Sequence, residues 1–144
     1  MRKIASFTCI VFVGIAIASA HSQPLKRNED LTVLQAVIHV NFEDTERQGH
    51  GLKNVSNILK AASDSKIEVV CHGGGIKLVV EEDSKHAEKV KELIARGVGF
   101  TACENTLMEK SIPRDKLLSG VKTVSSGAFE VIRKQQAGFS YFKP

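Results

Sequence analysis

The chain has 144 residues, 42% apolar and 25% charged, with no tryptophan and a single tyrosine. Such values describe one globular domain long enough to bury a core, and so few aromatic rings argue against a platform for stacking bases or sugars. The formal net charge of +4 comes from lysines and arginines dispersed among acids, which argues against a nucleic-acid partner.

Residues 1–20 read as a signal peptide. Arg2 and Lys3 form a basic start, and "IASFTCIVFVGIAIA" is an apolar run too short and wrongly flanked for a membrane span. Ala18-Ser19-Ala20 then supplies the small residues of a cleavage site. Cleavage after Ala20 removes Arg2, Lys3 and Cys9. It leaves 18 basic against 16 acidic residues, a net charge of +2, and two cysteines, Cys71 and Cys103. The mature protein is then expected in the periplasm or secreted, with no membrane attachment. In that oxidising setting two cysteines raise the question of a disulfide.

Residues 21–30, "HSQPLKRNED", read as a flexible lead-in, and residues 31–144 as a single domain. "LTVLQAVIHVNF" is dense in β-branched residues with little alternation, the pattern of a strand buried on both faces. In the segment that follows, Leu52, Val55, Ile58, Leu59 and Ala62 fall at helical spacing. Gly49 and Gly51 weaken its first part, so a firm helix is expected only from about Leu52. "KIEVVCHGGG" is a second strand running into three glycines, and "IKLVVEED" reads as a short strand or an irregular crossing. "SKHAEKVKELIARG" is a helix capped by Ser84 or Asp83 and closed by Gly97. "VGFTAC" is a third strand, "NTLMEKSI" a short helix ended before Pro113, and "RDKLLSG" a turn. "VKTVSS" is a fourth strand. "GAFEVIRKQQAG" is a helix with Ala128, Val131 and Ile132 on one face, and "FSYFKP" a last short strand. Strand and helix alternate about five times, which implies an α/β fold with a mostly parallel sheet and right-handed crossovers.

In such sheets, sites gather at the carboxyl ends of the strands. Those ends hold Asn41 and Phe42, then Cys71 to Gly75, then Cys103-Glu104-Asn105, then Ser125-Ser126-Gly127. Thr106 and Glu109 are spaced as a capping box, with Thr106 or Asn105 as the N-cap. Cys103 would then lie just ahead of a helix N-terminus, where unpaired N–H groups favour a thiolate; Glu104 next to it would push the other way. The bland alternative is a buried cysteine acting as a small apolar residue. Cys71 with His72 offers a second thiol, as resolving or disulfide partner, or a histidine holding a proton near the first. "HGGGIK" suggests a loop that cradles a phosphate or another anion, but it lacks the nucleotide and dinucleotide loop patterns and reads rather as a tight turn or a close approach of a neighbouring chain. Metal binding by Cys71, His72, Cys103 and His39 or His50 has no supporting spacing, and His21 as a copper-chelating terminus even less. No metal or other cofactor is expected.

The run from "IEVVCHGGGIKLVV" through "FTACENTLMEKSIP" to the closing "SGAFEVIRKQQAGFSYFKP" resembles the DsrE/DsrF-like family, which includes sulfur-relay, sulfur-oxidation and YchN-like proteins. The signal peptide matches an exported branch. The resemblance implies a three-layer α/β/α sandwich with a mostly parallel sheet of about five strands, assembled into a homo-trimer or hexamer. It also implies that the cysteine matching Cys103 accepts sulfur as a persulfide and exchanges it with a donor or acceptor protein. His72, Asn105 and Thr106 would support it. Cys71 stands where relatives carry a small residue such as alanine, a departure from the single-cysteine pattern. Three readings follow: a sulfur carrier using Cys103, a non-enzymatic oligomeric binding module stapled by a Cys71–Cys103 disulfide, and, with the weakest support, a thiolate-and-histidine metal site.

Overall fold

The computed structural model describes residues 33–144; the expected signal peptide and lead-in lie outside the described residues. Five strands, β1 (Gln35–Val40), β2 (Lys66–Cys71), β3 (Gly99–Cys103), β4 (Lys122–Val124) and β5 (Ser140–Phe142), form one sheet in the order β4-β3-β2-β1-β5. Every pairing is parallel. The four helices are α1 (Thr45–Ala61), α2 (Ala87–Ala95), α3 (Glu104–Glu109) and α4 (Gly127–Gln136), with 3₁₀ turns at Gly73–Val79 and Arg114–Lys116.

The strand order fixes the layers. From β1 to β4 each crossover steps the same way along the sheet, so right-handed connections put α1, α2 and α3 on one face. The return from β4 to β5 runs the other way and carries α4 over the opposite face. The two cores follow this division. The larger joins Ile38, Val69, Phe100 and Ala102 of the sheet to Leu52, Val55, Val90, Leu93 and Leu107 of α1–α3. The smaller joins Val37 and Val70 to Val131 of α4, with Phe139 beside them.

Several local expectations change. Helix α1 begins seven residues earlier than the glycines suggested, capped by Asp44, whose carboxylate accepts from the Arg47 N–H at 2.7 Å. Both glycines are required by packing: a Cβ on Gly49 would lie 2.9 Å from the His86 ring, and one on Gly51 2.9 Å from Pro144. On α4 the buried stripe is Gly127, Glu130 and Val131, whereas Ala128 and Ile132 are exposed. The reason is a polar seam between helix and sheet. Lys134 pairs with Glu68 of β2, Glu68 accepts from the Thr101 hydroxyl at 2.8 Å, and Glu130 is held by Arg133 at 2.5 Å. Glu130 is only 5% exposed. These partners hold its carboxyl below the usual carboxylate range, the Arg133 hydrogen bond being the largest influence.

Candidate functional site at the β3–β4 switch

Helix α3 follows β3 on one face and α4 follows β4 on the other. The carboxyl ends of β3 and β4 therefore border the crevice where the direction of winding reverses, the usual position of a site in an open α/β sheet. Cys103, the last residue of β3, stands there with 5% of its surface exposed.

The expected capping box does not form. Cys103 itself occupies the N-cap of α3, which places Asn105 and Thr106 in the first turn as N2 and N3. Its sulfur makes no close cap hydrogen bond of regular geometry, yet lies in a convergence of donors from two helices. Burial pushes the Cys103 thiol up. The N–H of Gly127, the N–H and hydroxyl of Thr106, and more weakly the N–H of Asn105 outweigh it and hold the thiol below its ordinary range. The Asn105 N–H is shared with the Ser125 carbonyl at 3.4 Å.

The Thr106 hydroxyl is set for this role. Its oxygen accepts the Gly73 N–H at 3.0 Å, which leaves its own proton free to point at the sulfur. Gly73 has φ +53°, the left-handed region that suits glycine. Gly74 and Gly75 of the same turn press on the backbone of Val40 to Glu43, where a Cβ would collide with the Val40 carbonyl and the Glu43 N–H. Gly73 therefore serves the tight turn expected from sequence, and Gly74 and Gly75 serve the close approach of neighbouring backbone. Glu104, feared as a neighbouring negative charge, is tied to Arg114 at 2.5 Å and to the Thr123 hydroxyl at 2.7 Å.

Gly127, the first residue of α4, brings the second helix to the sulfur. A Cβ there would lie 2.9 Å from the His72 Cβ and 3.2 Å from the Cys103 Cβ, so His72 and Cys103 flank one point. Ser126 caps α4, its hydroxyl accepting from the Phe129 N–H at 3.3 Å. His72 Nε2 is hydrogen-bonded to His39 Nε2 at 2.6 Å, and His39 Nδ1 to the Tyr141 hydroxyl at 2.8 Å. The two imidazoles lie end to end, their planes 16° apart and their centroids 4.8 Å apart. Burial, then the charges of His72 and Lys143, bring His39 down to about 4. Burial and Lys143 also lower His72. Both rings are neutral at pH 7. Tyr141 played no part in the reading from sequence, and His39 entered it only as a metal ligand. They lie in β5 and β1, remote in sequence from His72, and no spacing connects them.

The Cys71–Cys103 disulfide is not formed: both cysteines are free. Register explains why. Cys71 pairs with Ala102, one residue short of Cys103, so the two side chains leave the sheet on opposite faces. Cys71 is fully buried in the larger core and burial pushes its thiol far up, which also disqualifies it as a resolving thiol from this position. Among the described residues, no group of three or more His, Cys, Asp or Glu side chains is arranged to hold a metal ion, and no helix is long and apolar enough to cross a membrane.

The sequence model of the DsrE/DsrF-like family matches residues 35–144, from the first strand to the last residue. Among solved structures, the chain is similar to MTH1491 of Methanobacterium thermoautotrophicum, described as a protein of unknown function. The two share 35% identity and a TM-score of 0.74, with 77% of this chain and 99% of that one covered. It is also similar to the ychN protein of E. coli at 13% identity and a TM-score of 0.68, with the same coverage, a likeness of fold. No curated protein matches the chain.

Proposed function

This chain belongs to the DsrE/DsrF-like family, which is associated with sulfur relay, and on that premise we propose that it is a sulfur-handling protein in which Cys103 accepts sulfur as a persulfide. The observation that carries the reading is the position of Cys103, at the N-cap of α3 and against Gly127 at the start of α4, where nearby donors hold its thiol below its ordinary range. A thiolate is the attacking form of cysteine. The alternative, a binding module stapled by Cys71 and Cys103, is opposed by their opposite orientations. Incubation of the protein with a sulfane donor, followed by intact-mass measurement, tests the proposal. A gain of one sulfur atom that disappears in Cys103→Ser is expected. No gain, or a gain that survives Cys103→Ser, overturns it.

We also propose that the chain works outside the cytoplasm as a homo-oligomer. Phe129 and Ile132 of α4 and Phe142 of β5 are between 39% and 63% exposed, apolar surface that a second copy of the chain would cover. Sedimentation of the mature protein tests assembly, and a monomer at all concentrations would argue against it.

A further inference from the structure

Tyr141, His39 and His72 form an unbroken hydrogen-bonded chain, one end of which is 44% exposed at Tyr141 while the other lies beside Cys103. Acceptance of sulfur by Cys103 as described above makes no use of it. Packing alone would not ask for such a chain, since it gives each ring a polar partner that water would otherwise supply. The arrangement does suit proton movement. In a bond between two Nε2 atoms one ring donates and the other accepts. Whichever way the bond runs, His39 Nδ1 takes the complementary role toward the Tyr141 hydroxyl. The two arrangements interconvert when one proton moves along each bond while another leaves the far nitrogen of His72 and one enters at the Tyr141 hydroxyl, so that both rings start and end neutral.

We propose that Tyr141, His39 and His72 are a proton relay that delivers a proton to the thiol leaving the sulfur donor, and that the donor is an alkyl persulfide. The proposal rests on the sulfur-accepting role of Cys103 and extends it. The Cys103 thiolate attacks the outer sulfur of R–S–SH. A bond forms between Sγ and that sulfur, the S–S bond to R breaks, and R–S⁻ departs. His72 gives R–S⁻ a proton from one ring nitrogen while it takes one from His39 at the other. His39 is refilled from the Tyr141 hydroxyl, which draws on water at its exposed end. The products are Cys103–S–SH and R–SH, with one proton consumed from solvent and no external oxidant or reductant. An alkyl thiolate is a basic leaving group and gains most from such a proton. The charged group that acts on the relay from outside is Lys143, which together with burial disfavours a charge on either ring. His72 is the residue that meets the donor; His39 and Tyr141 are positioning residues that act through it.

The test separates leaving groups. Mixed-disulfide formation at Cys103 is timed with 2-hydroxyethyl disulfide, an alkyl disulfide, and with 5,5′-dithiobis(2-nitrobenzoate), whose aromatic thiolate leaves without a proton. Cys71 is silent because it is fully buried. In His39→Gln the ratio of alkyl to aromatic rate falls about tenfold, a part of the roughly hundredfold or more that a positioned acid supplies, since His72 itself stays in place. In Tyr141→Phe, which keeps the ring and its packing, the ratio falls in the same direction, and the pH dependence of the alkyl reaction changes with it. A ratio within twofold of wild type in both variants overturns the relay. So does a parallel fall of both rates, which is what a merely structural role would give. Neither readout depends on persulfide formation, so loss of the relay and loss of the sulfur-accepting role are told apart by the mass experiment above.

Discussion

Replacing Gly127 with alanine tests directly whether α4 tunes Cys103. The new Cβ would sit 2.9 Å from the His72 Cβ and 3.2 Å from the Cys103 Cβ, and neither atom is the free end of a flexible chain. The first turn of α4 must therefore withdraw by a few tenths of an ångström, and the Gly127 N–H withdraws from the sulfur with it. Loss of one hydrogen bond to a charged group costs about 1.5 kcal/mol. At about 1.4 kcal/mol per pKa unit, that lowers the thiolate fraction roughly tenfold at any pH well below the thiol pKa. Global stability should fall by up to about 2–3 kcal/mol, since overpacking costs about 1–3 kcal/mol and the better helix propensity of alanine returns up to about 1 kcal/mol. The assay is the pH dependence of iodoacetamide alkylation at Cys103, followed by mass. The midpoint should move up in the variant while the rate at the alkaline plateau stays close to wild type. An unmoved midpoint in a folded variant would refute the claim that the start of α4 acidifies this thiol.

Three further outcomes follow from the same structure. Thr106→Val keeps the side-chain shape but leaves the Gly73 N–H without its acceptor. It should cost about 1–2 kcal/mol in urea unfolding and raise the alkylation midpoint. Lys134→Met leaves the Glu68 and Glu130 carboxylates facing each other without their shared cation. It should cost about 2–3 kcal/mol in the same assay, with part recovered by adding Glu68→Gln. Stability should also depend on pH through His39, whose native value of about 4 lies below the 6.5 of an unperturbed imidazole. Between those values the unfolded chain binds the proton and the native chain does not. Stability therefore falls as pH drops from about 6.5 to about 4, with a slope of up to about 1.4 kcal/mol per pH unit from this residue. His39→Gln should flatten the slope, as measured by urea unfolding across that range.

The alternation of β-branched runs with amphipathic segments was enough to place five strands and to set Cys71, Cys103 and Ser126 at their carboxyl ends. The side of the sheet on which each helix lies was not legible, because it depends on the order of the strands. The meeting of α4 with Cys103 was hidden for that reason. Thr106-x-x-Glu109 has the spacing of a capping box, yet the chain turns helical three residues sooner, and that puts Cys103 at the cap and frees Thr106 for Gly73. Which face each cysteine points to depends on a one-residue offset in the β2–β3 register. The seam of Glu68, Thr101, Glu130 and Lys134 reads in sequence as ordinary polar surface. Only the packing of α4 shows that it is buried.

The state of Cys103 in protein taken directly from its native compartment and alkylated at once bears most directly on the account. The Cys103 peptide should carry the alkyl group both with and without an extra sulfur atom, and the Cys71 peptide should remain an unmodified thiol until the protein is denatured. Recovery of the two peptides joined to each other by a disulfide would contradict it.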